Sequence, residues 1–99
     1  MFTYIVRVEL KGSPSAEIYD ALHEAMRIKG YLQTIKNMTS NAVYSLPHAE
    51  YARQTIQDLS SDSVRTEVHS IVKYVYDNYQ LLVTKANAGD VAWWLHPIK

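Results

Sequence analysis

Cysteine is absent from the 99 residues, and with it go a disulfide scaffold, a thiolate zinc site and a cysteine nucleophile. Glycine is scarce at three residues, so no glycine-rich phosphate loop has room, and no GxSxG elbow occurs. Net charge is missing as well, because ten Lys and Arg are balanced by ten Asp and Glu. The overall field therefore draws in neither nucleic acid nor an acidic membrane, and binding of either kind has to come from a local patch. No apolar run approaches the roughly 18 residues of a membrane-spanning helix. The first ten residues carry Arg7 and Glu9 and read as neither a signal peptide nor a transmembrane segment. What remains is the expectation of one cytoplasmic domain whose 47% hydrophobic content fills a single core.

Phe2, Tyr4, Val6, Val8 and Leu10 alternate with Thr3, Ile5, Arg7, Glu9 and Lys11, which predicts a strand over 2–11 with Tyr4 in the core. Gly12, Ser13 and Pro14 break it, with Ser13 placed to cap a helix and Pro14 at its first position. Ile18, Ala21, Leu22, Ala25 and Met26 recur at helical spacing up to Gly30. Two short strands, 31–37 and 42–46, flank a turn made by Met38, Thr39, Ser40 and Asn41. A second helix is expected from Pro47 through Ala52, Ile56 and Leu59, stopped by Ser60, Ser61, Asp62 and Ser63.

Residues 64–76 fit either period, and their content of Val, Ile, Thr and Tyr favours a strand. Asp77 and Asn78 then cap a short helix through Tyr79, Leu82 and Val83, and 91–98 forms a last extended segment with Pro97 at an edge. The resulting order, βαββαβ, is the split βαβ pattern of a ferredoxin-like α+β sandwich: an antiparallel sheet, helices on one face, a core over 2–79 and a C-terminal extension over 80–99.

Charge is unevenly placed along the chain. Residues 25–49 contain no acid, yet hold Arg27, Lys29 and Lys36 with Tyr31 and Tyr44, a mixture suited to phosphates and stacked bases of single-stranded RNA. The same cations equally suit the C-terminal end of a helix dipole. Arg7 and Glu9 lie opposite the core side of the first strand, and Arg65, Glu67 and His69 share one side of the expected fourth strand. Together they predict an open sheet face of alternating charge, read either as cross-strand ion pairs or as a homodimer interface or proton-handling site. Trp93 and Trp94 are adjacent, so on a strand one of them faces away from the core and is free to anchor a partner. His23, His48, His69 and His96 are scattered without metal-ligand spacing, and neither a metal nor a cofactor is expected.

Phe2, Thr3, Tyr4, Ile5 and Val6, the break at Ser13, Pro14 and Ser15, the helix end near Ala25 and Met26, and the Ser45 and Leu46 pair resemble the GhoS-type antitoxin endoribonuclease family. Tyr76, Asp77, Asn78 and Tyr79 extend the resemblance to about residue 79. It implies a ferredoxin-like domain, related in shape to small CRISPR-associated nucleases, that binds and cuts the single-stranded message of a membrane-acting toxin. The arginine-bearing positions of that family's first helix fall on Ala21 and His23 here, its third-strand aromatic falls near Asn41, and Glu9 stands near the acidic ligand position of the CRISPR-associated nucleases. Two functions follow as expectations: an RNA-binding regulator of the antitoxin type with single-strand-specific endoribonuclease activity, or a non-catalytic protein-interaction module such as a phage or mobile-element inhibitor of a larger host complex. The expected partner is accordingly single-stranded RNA or a protein, with a homodimer open and no membrane.

Overall fold

The computed structural model describes all residues except Ala88, Gly89 and Lys99. The chain runs β1 (Phe2–Leu10), α1 (Ala16–Ile28), β2 (Thr34–Lys36), β3 (Val43–Ser45), β4 (Glu50–Thr55), α2 (Ser61–Val75) and β5 (Tyr79–Asn87). It is an α+β fold with a three-stranded antiparallel sheet, ordered β4-β1-β5, and a two-stranded sheet of β2 and β3. Alternation in β1 sets the layers. Tyr4, Val6, Val8 and Leu10 are buried beneath Leu22 and Met26 of α1 and Val64, Val68 and Val72 of α2, with Tyr31 and Tyr51 completing the core.

Both helices start on a serine. The Ser15 side chain, rather than that of Ser13, accepts a bond from the Ile18 N–H, and Ser60 does the same for Ser63. Gly30, at φ +89°, closes α1 in the left-handed region that glycine enters freely.

Three expected elements are different. The segment 50–55, read as helix, is strand β4: Ala49 has φ +63°, which no helix continues through, and the chain then pairs with β1 in register from Arg7↔Glu50 to Phe2↔Thr55. Residues 64–76, read as strand, form most of α2. Val64, Val68 and Val72 at four-residue spacing bury one stripe, and that burial outweighs the β-propensity of valine. Residues 79–83, read as a short helix, open β5, which pairs with β1 over its full length from Phe2↔Asn87 to Leu10↔Tyr79. The division at residue 79 therefore falls at the start of an integral strand rather than between core and appendage.

The second face of the sheet is only half open. Residues 91–98 return across it and join β3: the Ser45 N–H donates to the His96 carbonyl at 3.0 Å, that of Ile98 donates to the Val43 carbonyl at 2.9 Å, and Tyr44 bridges to Pro97. Beneath this strap Thr3 is 2% exposed and Ile5 is half-buried, and Ile5 and Ile35 border the same groove as Val91, Trp93 and Leu95. Beyond the strap, Arg7, Glu9, Gln80 and Leu82 form the uncovered part of the face.

Candidate functional site

Of the cations expected to contact RNA, Arg27, Lys29 and Lys36 are all exposed. Arg27 projects from the last turn of α1 and is held bidentately by Glu24, one turn earlier, at 2.6 and 2.9 Å. Lys29 caps the same helix. Lys36 ends β2, where its backbone N–H and C=O exchange bonds of 3.0 and 2.8 Å with the Gln54 side chain.

The two tyrosines are occupied. Tyr31 is fully buried, its hydroxyl donates to Glu67 at 2.6 Å and the Arg53 guanidinium lies 5.6 Å from its ring centroid, so it offers no face to a base. Burial and the Glu67 carboxylate push its phenol up to about 12. Tyr44 is half-buried against Trp93, with ring centroids 5.6 Å apart.

The expected charged sheet face is dispersed. Arg65, Glu67 and His69 lie on α2, and β1 is flanked instead by β4 and β5. Glu67 turns to Tyr31 and Arg53, whereas Arg65, His69 and Lys73 line an outward groove beside Tyr79. The Tyr79 hydroxyl lies 2.8 Å from His69 Nδ1. Arg7 and Glu9 do occupy the uncovered face, and Lys11 at 2.8 Å holds the Glu9 carboxyl below its ordinary range through a hydrogen bond and charge. Trp94 is 99% exposed, whereas its strap neighbour Trp93 is half-buried. No group of three or more potential ligands able to hold a metal occurs among the described residues.

Side chains that the sequence scatters come together at the other edge. Asp20, His23, Glu24 and Arg27 recur at spacings of three and four and therefore share one side of α1. They form one wall of an open groove of about 420 Å³, and Leu32, Gln33 and Thr34 form the other. His23 packs against β4, where its Nδ1 lies 2.7 Å from the hydroxyl of buried Tyr51. The turn at Ala49 brings His48 alongside, with its ring centroid 6.2 Å from that of His23 and 4.8 Å from that of Tyr19. Two imidazoles and two phenols thus meet at one edge of the molecule, and Arg27 stands one turn beyond His23 along α1.

Burial holds the His23 imidazole below its ordinary range; nearby His48 adds to the effect and Asp20 opposes it. Protonating His23 is therefore harder in the folded than in the unfolded chain. Its contribution to stability is present above the unfolded value near 6.5 and lost as pH falls through the lower folded value. Thermal melting of wild type should accordingly decline more steeply from pH 7 to pH 5 than that of His23→Gln. Equal slopes would show that His23 titrates as it does in the unfolded chain.

Comparison with known proteins finds no matching family model, no matching curated protein and no matching solved structure.

Proposed function

We propose that this chain is a small RNA-binding regulatory protein of the antitoxin type, which takes single-stranded RNA along the α1 edge and acts on it as an endoribonuclease. The observation that carries this reading is the exposure of Arg27, Lys29 and Lys36 from the end of α1 to β2, beside an open groove that Arg27 lines with Asp20, His23 and Glu24. Exposed cations bind phosphates without requiring a positive protein overall. The resemblance to the GhoS-type family supports the same function.

A ferredoxin-like reading of the fold agrees with it. In that reading β1, the segment around 32–36, β4 and β5 are the four strands of one split βαβ sheet. The antiparallel bridge Leu32↔Ala52 joins the second of these to β4, and β3 with the strap is an addition. The strap covers part of the face on which such domains commonly stack bases, so binding moves to the α1 edge.

Association with a labelled single-stranded RNA should weaken with salt by about 0.7 log units per contacted phosphate for each log unit of salt. The triple variant Arg27→Glu, Lys29→Glu and Lys36→Glu should remove it. Unchanged binding by that variant, or no binding by wild type at low salt, would dismiss the proposal.

A second reading, a non-catalytic module that binds a larger protein complex, is favoured by one observation: Trp94 is 99% exposed on the strap. Trp94→Ala should leave the melting temperature unchanged but abolish a nuclease-resistant, stoichiometric association with such a partner.

A further inference from the structure

His23 and His48 are twenty-five positions apart in the chain, yet the packing of α1 against β4 sets their rings edge to face. A donor or acceptor nitrogen reaches a reacting atom at about 3 Å, so two such reaches span about 6 Å. The ring centroids are 6.2 Å apart, which sets the two imidazoles near enough to serve one small group. Their environments differ. His23 is half-buried and tied through Nδ1 to Tyr51, which leaves Nε2 as the nitrogen for an outside partner, whereas His48 is exposed on the approach to β4. Arg27 lies one helical turn from His23 on the same side of α1 and is the cation of the groove, which it lines together with Asp20 and Glu24.

We propose that His23 and His48 form a metal-independent acid–base pair that cleaves RNA through its own 2′-hydroxyl, a role that rests on RNA being the ligand of the α1 edge. In the tautomer whose Nδ1–H donates to the Tyr51 oxygen, His23 takes the 2′-hydroxyl proton on Nε2. The 2′-oxygen attacks the adjacent phosphorus, the bond from phosphorus to the 5′-oxygen breaks, and protonated His48 gives its proton to that leaving oxygen. The products are a 2′,3′-cyclic phosphate and a 5′-hydroxyl, with electrons and protons balanced and no co-reactant consumed. Arg27 faces the negative charge that gathers on the phosphate oxygens, and its bond to Glu24 holds it in place. Tyr51 positions the His23 ring without touching the substrate.

The test uses the full chain and an end-labelled single-stranded RNA, with binding and cleavage measured separately. Cleavage should survive EDTA, yield cyclic-phosphate ends, and stop when 2′-deoxynucleotides replace the ribonucleotides. His23→Gln and His48→Ala should each slow it by about 100-fold or more while RNA affinity is kept. Tyr51→Phe should lower kcat and leave KM unchanged. RNA that is bound but not cut, cleavage that requires a divalent metal, or histidine variants that cut as fast as wild type would overturn the acid–base pair and leave RNA binding standing. Absence of any RNA binding would remove both. His48→Ala keeps the test independent of folding, because the His48 side chain is exposed and fills no core space.

Discussion

Replacing Tyr4 by Ala is expected to destabilise the fold by about 3–5 kcal/mol, the range for removing a large aromatic from a core. Tyr4 is fully buried at the centre of the sheet's helix-covered face. Its hydroxyl also closes the chain before α2: it accepts from the Leu59 N–H at 2.6 Å and donates to the Leu59 carbonyl at 2.9 Å or that of Gln57 at 3.1 Å. Single domains of this size are stable by about 5–15 kcal/mol, so the loss of Tyr4 removes a large share of the margin. Tyr4→Phe separates the two contributions. It keeps the ring, strips the hydroxyl from the Leu59 backbone and should cost about 1–3 kcal/mol. Urea unfolding of both variants checks the pair. A Tyr4→Phe loss equal to that of Tyr4→Ala would mean that the hydroxyl, and not ring burial, carries the whole effect.

Ending the chain after Asp90 is the second large perturbation. It removes the strap, with partly buried Val91, Trp93 and Leu95, and uncovers Thr3, Ile5 and Ile35. Full burial of such a side chain stabilises by about 1.5–3 kcal/mol, so three partly buried ones together contribute about 2–4 kcal/mol. Two backbone hydrogen bonds to β3 are lost as well. The shortened chain should unfold at lower urea and bind a hydrophobic dye on the exposed sheet face. Unfolding at the wild-type midpoint would mean that the strap contributes nothing to the native state.

Much of the fold is legible where one period operates without rival. The alternation of β1 and the stripe of α1 are of this kind, and both elements lie close to where their patterns place them. Ser60, Ser61, Asp62 and Ser63 carry a signal that reads equally as a helix stop or a helix start. Read as a stop, it makes a strand of the α2 segment and a helix of the β4 segment. Tertiary burial decides the matter, because Val64, Val68 and Val72 reach Tyr4 and Val6 only as a helical stripe. The strap reads as an extended segment with Pro97 at an edge, but its pairing is not legible locally, since its partners in β3 lie about fifty residues earlier.

The candidate site was legible in part. The three cations are exposed as their surroundings in the sequence suggest, but the acid-free run hides the fact that Tyr31 is claimed by Glu67 and Arg53 from distant elements. No sequence pattern joins His23 to His48, because they meet only through the docking of α1 on β4 and the left-handed turn at Ala49. One signal was available. Asp20, His23, Glu24 and Arg27 form a polar stripe at helical spacing, next to the stripe of Leu22 and Met26 that enters the core.

Backbone NMR of the isotope-labelled chain, titrated with a short single-stranded RNA, tests the central claim most directly. RNA binding at the α1 edge predicts that the shifted amides concentrate over residues 20–36 and around His48, and that the shifts fade as salt is raised. Shifts confined to the strap around Trp94, or no shifts at low salt, would contradict it.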